Sequence, residues 1–463
     1  MSKQFPDNIF LQGIWEPLRA ESDIYDPIVI GNIPGELNGT FFRNGPNPQY
    51  VYSKNYHLFE GDGMLHAMTF VNGNVKYANR WLRTEKFLVE RKARKSLFGG
   101  MRDLMVCDDS VKNCPRNTAN TNIVWHHDRL LALNEGGQPQ NVDIKHFGNC
   151  KPYDFQSTFH RSMTAHPKID SDTGELLFYS YLSPMLDFMY YVSDKQGKII
   201  HSTKLDIPYT SLVHDFAITE HFSIFPFFPL TWDYRRIQAG ETVFKWEPGL
   251  NSRFAVIPRY GNNDQVIWFE TEACLGMHVI NAYENGDRII LEMVIMDEIP
   301  DTAIAYANDD ETFSNYLTRF TFDLRSGSVS RQRLDSTNSE FPRIDERYTG
   351  KNYRFAFVAS TQNEHLSKNL FDSITCYDRR SDCKQVHYFG DDSLALEPIF
   401  VPANSLHEGH GYLLSYVYRK RENRSDLVIL DAMHVEAEPV CVIQLPHRIP
   451  YGFHGCWVPH LDM

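Results

Sequence analysis

Short apolar runs separated by turn dipeptides dominate the chain. Residues 70–77 (FVNGNVKY) predict a β-hairpin, because Asn-Gly supplies the two positive φ angles of a type I′ turn. Glycine turns accompany similar runs at 172–179, 194–200, 283–290 and 325–329. Each of these runs can bury one face of a strand. Residues 86–105 form the best helical or irregular insert, and helices are expected to be few.

This pattern predicts an all-β protein with many short antiparallel strands. A chain of 463 residues without an obvious flexible linker favours a β-propeller, in which many strands share one structure and leave only short edges. The expected organisation is a single domain over 1–463, with 1–24 as a lead-in segment. No crisp repeat reveals the number of blades, and a pair of β-sandwiches is the alternative.

Composition and charge narrow the function classes. The chain is 42% hydrophobic and 13% aromatic, which excludes a disordered protein. Its 46 basic and 59 acidic residues give a net charge of −13, which argues against nucleic-acid binding and against attraction to anionic lipid. The eight cysteines form no CxxC pair and are expected to be free thiols. We expect a cytoplasmic protein, with peripheral membrane contact as an open alternative, because no signal peptide or 18-residue apolar segment is found.

Histidines are the most promising source of chemistry, because the familiar nucleophile, zinc-protease and phosphate-binding motifs are missing. Of the 19 histidines, most lie among polar turn residues. Four lie in strand-like or Gly-flanked apolar contexts: His166, His214, His278 and His454. A buried imidazole needs partners for both nitrogens. These four are either separate core histidines or the ligands of one metal approached from four blades.

Three glutamates have similarly apolar surroundings: Glu135, Glu340 and Glu397. A buried carboxylate needs a hydrogen-bonded or charged partner. A carboxylate on the outer nitrogen of a metal-bound histidine fixes its tautomer and raises its basicity. The alternative for each is a surface glutamate at a strand end, and spacing alone does not assemble the seven residues.

Long motifs in fixed order carry a family resemblance. They run from about residue 25 to the end of the chain and comprise 33–48 (IPGELNGTFFRNGPNP), 57–66 (HLFEGDGMLH), 117–122 (NTANTN), 131–137 (LALNEGG), the segments around His166 and His278, 213–216 (VHDF), 340–344 (EFPRI), 397–401 (EPIFV) and 452–455 (GFHG). On these residues the chain resembles the carotenoid cleavage oxygenases, a family of non-haem iron enzymes.

The resemblance implies a seven-bladed propeller with Fe(II) on its axis and loops capping the active-site face. The iron ligands would be His166, His214, His278 and His454, and the glutamates that hold three of the imidazoles would be Glu135, Glu340 and Glu397. The implied reaction adds O2 across a C=C bond and gives two carbonyl products. Thr121 matches a position that crowds one open coordination site, and its alternative is an ordinary strand threonine.

The resemblance also bears on the substrate. Phe59, Met101 and Asn134 match substrate-site positions, and stilbene-cleaving members typically have Tyr and Lys where this chain has Met101 and Asn134. Met cannot donate a hydrogen bond and Asn carries no charge, whereas Met suits an apolar tunnel wall. We therefore expect a carotenoid, apocarotenoid or similar apolar alkene, with a stilbene as the alternative.

The Phe-rich run at 221–232 is the candidate for contact with an apolar partner. Phe225, Phe227 and Phe228 could line a tunnel or form an apolar patch that takes substrate from a membrane, and ordinary packing is the alternative. A propeller that binds a lipid or protein without turnover is the competing functional hypothesis. The sequence does not predict the oligomeric state.

Overall fold

The structure is a computed structural model that describes residues 5–104, 106–182, 187–239, 241–296, 314–366 and 370–460. Its strands are β1 (Ser22–Ile24), β2 (Ile28–Gly31), β3 (Gly39–Pro46), β4 (Gly63–Val71), β5 (Asn74–Trp81), β6 (Asn122–His126), β7 (Arg129–Leu133), β8 (Gln140–Val142), β9 (Cys150–Pro152), β10 (Lys168–Ile169), β11 (Leu176–Ser180), β12 (Phe188–Ser193), β13 (Ile199–Leu205), β14 (Ala217–Ile218), β15 (Phe222–Phe227), β16 (Leu230–Trp232), β17 (Phe244–Trp246), β18 (Ser252–Pro258), β19 (Ile267–Thr271), β20 (Leu275–Asn285), β21 (Arg288–Met296), β22 (Asn315–Asp323), β23 (Ser328–Arg333), β24 (Ser339–Arg343), β25 (Phe355–Ser360), β26 (Ser373–Asp378), β27 (Cys383–Tyr388), β28 (Ser393–Ala395), β29 (Ile399–Pro402), β30 (Gly411–Arg419), β31 (Arg424–Asp431), β32 (Cys441–Gln444) and β33 (Gly455–Pro459).

Helices are short and lie in the connections. The α-helices are α1 (Glu85–Ala93) and α2 (Arg235–Gln238). The 3-10 helices are Ile9–Leu11, Gly13–Trp15, Leu58–Glu60, Met101–Asp103, Asp109–Val111, Asn263–Gln265 and Glu346–Tyr348. The predicted insert at 86–105 thus contains most of α1 and one 3-10 turn, and its residue 105 lies outside the described part of the chain. No helix among the described residues is long and apolar enough to cross a membrane.

Seven antiparallel sheets form the blades of a propeller. From the axis outward they are blade 1 (β33, β3, β4, β5, β1), blade 2 (β6 to β9), blade 3 (β10 to β13), blade 4 (β14, β15, β18, β19), blade 5 (β20 to β23), blade 6 (β24 to β27) and blade 7 (β28 and β29, then β30, β31, β32, β2). The ribbon of β16 and β17 is inserted into blade 4. The predicted all-β class and the seven-bladed propeller are confirmed, and the pair of sandwiches is excluded.

A separate apolar cluster fills each of the seven boundaries between neighbouring blades. Strand β11 shows how one strand serves two boundaries. Leu176 and Phe178 face the cluster shared with blade 2, whereas Leu177 and Tyr179 face the cluster shared with blade 4. Successive side chains of a strand point to opposite faces of the sheet. A blade packed between two others therefore needs apolar residues on both of its faces.

Two sequence predictions have opposite outcomes. The hairpin at 70–77 is confirmed, since Asn72 and Gly73 have φ angles of 50° and 77° between the paired strands β4 and β5.

The prediction of an apolar surface patch at Phe225, Phe227 and Phe228 is wrong, because the three side chains are at most 1% exposed. They pack in the clusters on the two sides of blade 4, so these three side chains form no apolar patch on the surface.

Segments from the two ends of the chain close the ring. Strand β2 pairs with β32 at the outer edge of blade 7, and β33 pairs with β3 on the axial side of blade 1. The first turns also belong to the core, since Ile14 is 3% exposed and its carbonyl accepts from the Tyr451 N–H at 2.8 Å. The assignment of 1–463 to one domain with a lead-in at 1–24 stays a prediction.

Replacing Ile14 with Ala tests how much the first turns contribute to stability. We expect the free energy of unfolding to fall by about 2–5 kcal/mol, because the change leaves a cavity in a packed core. Urea denaturation followed by circular dichroism measures the effect. Leu406→Ala is the control, since Leu406 is 92% exposed and its loss should cost less than about 0.5 kcal/mol. Equal effects of the two substitutions would show that the first turns are dispensable.

Candidate metal centre

Four histidines reach the axis from the inner ends of four blades. His166, His214 and His454 lie just before the innermost strands of blades 3, 4 and 1, whereas His278 lies within β20 of blade 5. The pairing of β20 with β21 shifts register between Gly276 and Val279. Such an irregularity bends a strand and redirects a side chain, and it is common beside active sites.

The imidazoles are close enough to share one ion. The Nε2 atom of His214 lies 3.0 Å from Nε2 of His166 and 3.2 Å from Nε2 of His278. Each of the four histidines offers one ring nitrogen, and these four nitrogens all lie within 4.8 Å of one another. His166 and His454 are buried, and the side chains of His214 and His278 are each 12% exposed. This four-histidine cluster suits a metal ion.

Three carboxylates bind the outer nitrogens of three of these rings. Glu135 pairs with Nδ1 of His214, Glu340 Oε2 lies 2.5 Å from Nδ1 of His278, and Glu397 Oε1 lies 2.8 Å from Nδ1 of His454. Their positions are in the loop after β7 of blade 2, in β24 of blade 6 and between β28 and β29 of blade 7. The seven residues singled out in the sequence therefore come one from each of the seven blades.

Each carboxylate has a second partner of its own. Glu135 Oε2 accepts from the hydroxyl of Tyr181, and Glu340 Oε2 accepts from the N–H of Phe341 at 2.5 Å. Glu397 Oε2 accepts from the Gly455 N–H at 2.8 Å. A buried charge is tolerated only when it is paired and hydrogen-bonded, so these contacts stabilise the ring of carboxylates.

The surroundings of His166, His454 and Glu397 shift the pKa values of these three groups. Burial, aided by the neighbouring imidazoles, lowers the pKa of His166 well below its usual value, and burial lowers the pKa of His454 to about 4. Burial opposes ionisation of Glu397, but the charges of Arg343 and His454 outweigh it and hold its pKa at about 2. Both histidines are therefore neutral at pH 7, and a neutral imidazole is the form that binds a metal.

The pKa of His214 is shifted in the opposite direction to those of His166 and His454. Burial disfavours its charged form, but the charge and hydrogen bond of Glu135 outweigh that effect and raise the pKa of His214. Glu135 thus makes the His214 ring more basic, which is the effect that a carboxylate on the outer nitrogen has on a metal-binding histidine.

The predicted substrate-site residues gather around Asn120, which the sequence did not single out. Its side-chain amide donates to the Phe59 carbonyl at 2.9 Å, and its Oδ1 accepts from Asn134 Nδ2 at 3.0 Å and from Thr121 Oγ1 at 3.1 Å. The Thr121 carbonyl accepts from the N–H of His454 at 3.3 Å. Three of the predicted residues are thus connected to one cluster histidine.

Phe59 and Met101 lie on two turns that one carboxylate holds together. The Phe59 ring is 39% exposed and packs edge-on against Phe453, with centroids 5.5 Å apart. Glu60, in the same turn as Phe59, accepts from the Met101 N–H at 2.7 Å. The side chain of Asn134 is engaged inside the protein at both ends, because its amide also donates to Thr118 Oγ1 and its Oδ1 accepts from the Gly136 N–H.

Tyr181 and Arg343 also belong to the site and were missed in the sequence. Tyr181 lies one residue beyond β11 and binds Glu135 across blades. Arg343 donates to the Gly455 carbonyl, with Nε 3.6 Å from Glu397. The only signal for Tyr181 is its spacing of two from Tyr179, which puts both hydroxyls on one face of a strand. Arg343 lies within the 340–344 motif, but its two partners at the site, Gly455 and Glu397, are more than 50 positions away.

Sequence comparison with known proteins identifies the relatives of this chain. The family model described as retinal pigment epithelial membrane protein matches residues 15–459. The chain belongs to this family, the carotenoid oxygenases. Isoeugenol monooxygenase of Pseudomonas nitroreducens is 38% identical over 97% of this chain and 98% of that protein. Carotenoid 9,10(9',10')-cleavage dioxygenase 1 of Arabidopsis thaliana is 31% identical over 97% of this chain and 89% of that protein.

A solved structure of the family supports the same fold. The crystal structure of Pseudomonas brassicacearum lignostilbene dioxygenase superposes with a TM-score of 0.93, at 31% identity, over 99% of this chain and 100% of that chain. This carotenoid oxygenase is therefore an oxidoreductase with the seven-bladed architecture of its family. The predictions of family, fold and enzyme class are confirmed.

Metal binding at the cluster is tested by replacing His278 with Ala. Excess Fe(II), added without oxygen, should raise the Tm of the parent protein, since a ligand at 100 times its Kd contributes about 2.7 kcal/mol. We expect the His278→Ala protein to lose most of this increase. His126→Ala is the control, because His126 is also buried but binds the Gly174 carbonyl away from the cluster. Equal stabilisation of all three proteins would contradict a metal site at His278.

Proposed function

We propose that this carotenoid oxygenase is a non-haem Fe(II) dioxygenase that cleaves a C=C bond of an apolar alkene with O2. The overall reaction balances as one alkene and one O2 giving two carbonyl compounds. The observation that carries the proposal is the arrangement of four imidazoles and three carboxylates, one from each blade, at the axis of a fold shared with alkene-cleaving relatives.

Fe(II) fits the donor set, because imidazole nitrogen is a suitable ligand for iron. His166, His214, His278 and His454 would hold it, and the carboxylates would fix the tautomer of three rings through the contacts described above. The iron would supply the activation of O2. Thr121, connected to His454 through its carbonyl, would crowd one side of the metal and direct where O2 can enter.

The surroundings support a carotenoid, apocarotenoid or similar apolar alkene as substrate. Met101 provides an adaptable apolar side chain without a hydrogen-bond donor. Asn134 is neutral, and both of its amide hydrogens and its oxygen are engaged inside the protein. Neither residue offers a charge for a phenolate, whereas Phe59, which packs on Phe453, presents exposed aromatic surface.

A phenolic aryl alkene, such as a stilbene or a propenylphenol, is the second candidate substrate. It is favoured by the names of the relatives, since an isoeugenol monooxygenase is 38% identical and a lignostilbene dioxygenase has a TM-score of 0.93. If this candidate is right, groups other than Met101 and Asn134 must bind the phenol.

The location in the cell belongs to the proposal as well. All eight cysteines are free, and four of them are buried: Cys274, Cys376, Cys441 and Cys456. Free thiols are typical of a reducing compartment, which supports a cytoplasmic enzyme.

A substrate panel tests the reaction and distinguishes the two candidates. We expect the Fe(II)-loaded protein, incubated with O2 and carotenoids, apocarotenals, stilbenes or propenylphenols, to give aldehydes from the apolar polyenes. Mass spectrometry after reaction under ¹⁸O2 identifies the products and their oxygen source. The His278→Ala protein and an oxygen-free reaction are the controls. Products from the phenolic panel alone would favour the second candidate, and no oxygenated product from any class would refute the proposal.

Tyr181→Phe tests whether Glu135 must be held for His214 to bind the metal. Without the hydroxyl, one oxygen of the largely buried Glu135 carboxylate loses its donor. We expect Fe(II) affinity to fall by up to roughly tenfold, which is the smaller end of the effects seen when a partner of a metal ligand is removed. Competition with a chelator measures the affinity. Tyr190→Phe is the matched control, because Tyr190 is buried in the same blade and bonds Ser223. Unchanged affinity in Tyr181→Phe would mean that Glu135 needs no second partner.

A further inference from the structure

Asp215 is a buried carboxylate whose contacts all lie beside the histidine cluster. It follows His214 directly, and its side chain is 3% exposed. Its Oδ1 accepts from the Phe216 N–H at 2.7 Å and pairs with Lys168 Nζ at 2.7 Å, while its Oδ2 accepts from the Val279 N–H at 2.8 Å. The two oxygens thus serve one ammonium and two backbone donors.

The partners of Asp215 belong to three blades and to three ligand segments. Lys168 begins β10 of blade 3, two residues after His166, and Val279 lies in β20 of blade 5, one residue after His278. Asp215 itself lies between His214 and β14 of blade 4. One carboxylate therefore links segments that carry three of the four histidines.

These contacts are directional, unlike the apolar packing between the blades. The apolar clusters at both boundaries of blade 4 hold the blades together. The free energy gained by burying apolar surface is not directional, so it changes little when one strand shifts slightly along another. Hydrogen bonds to a carboxylate weaken steeply with misalignment and are stronger than those between neutral groups. Asp215 is therefore suited to set the separation of the three ligand segments.

The geometry points to Asp215 as a positioning residue that fixes the spacing of His166, His214 and His278 for metal binding. This inference rests on the proposed function, because it assumes that the cluster holds a metal. Asp215 contacts the segments that follow the histidines and not the imidazoles, so it acts through the backbone. It differs in this from Glu135 and Glu340, which act on the rings.

The test replaces Asp215 with Asn, which keeps the size but not the two acceptors. Whichever way the amide turns, its NH2 group faces a donor, either the Val279 N–H or Phe216 and Lys168. We expect Co(II) affinity, measured by competition with a chelator, to fall roughly tenfold or more, and the visible absorption bands of bound Co(II) to shift. Both readouts report the ligand geometry, which a loss of stability alone would leave unchanged in the folded protein.

Asp170→Asn is the matched control at the same blade boundary. Asp170 binds one cation, Arg259, at 2.5 Å, and two backbone donors, Asp172 and Thr173. Asp170 and Arg259 have side chains 10% and 8% exposed. We expect Asp170→Asn to lower thermal stability as Asp215→Asn does but to leave Co(II) affinity and absorption within twofold of the parent. Equal changes of affinity in the two variants would overturn the inference.

Lys168→Met keeps the inference testable if Asp215→Asn does not fold. It removes the cation and retains both backbone contacts, so we expect a smaller loss of Co(II) affinity with the same direction of spectral shift. If Asp215→Asn folds and binds Co(II) like the parent protein, the role of Asp215 is overturned. If Asp215→Asn does not fold, parent-like Co(II) binding by Lys168→Met overturns it. Failure of the parent protein to bind Co(II) or Fe(II) would instead refute the proposed function, so the two failures are distinguishable.

Discussion

The hydrogen bond from the outer nitrogen of an imidazole to a carboxylate of a different blade is the interaction on which the site depends. It aims the ring, and it requires a glutamate at the centre of the protein, where Glu397 is 1% exposed. Removing one partner of a buried pair leaves an uncompensated charge, at a cost of about 3–5 kcal/mol. Donor and acceptor come from blades 4 and 2, 5 and 6, and 1 and 7, so each bond links two blades, and the bond between blades 1 and 7 spans the point where the ring closes.

The three carboxylates are stabilised in different ways. Glu397 lies near the guanidinium of Arg343, and its pKa is about 2. Glu135 has the neutral hydroxyl of Tyr181, and Glu340 has the N–H of the residue that follows it. Phe341 makes this contact with a φ of 53°, a conformation that costs a non-glycine residue about 1–3 kcal/mol and is typical of functional sites. The centre therefore lacks the symmetry of the propeller around it.

Much of the fold and of the site could be predicted from the sequence, and the failures have a common physical cause. The Asn72-Gly73 turn is local, so its hairpin was predictable. The seven site residues came from motifs of the family. The surface patch considered for the Phe-rich run was wrong because a propeller strand packs on both faces, so Phe225 and Phe228 are buried on opposite sides of the blade without the alternation of a half-exposed strand. Asp215 and Tyr181 were missed because their partners on other blades lie 46 to 64 positions away.

The closure of the ring has a consequence for the order in which the site can form. Three of the cluster histidines lie between positions 166 and 278, but the fourth, His454, directly precedes β33, which must pair with β3 more than 400 positions earlier. Loop closure over such a separation is slow, because chain entropy is lost before the contact is made. A growing chain can thus gather at most a three-histidine half-site. The fourth ligand arrives only with the last blade contact, so capture of the metal by all four rings is coupled to the completion of folding.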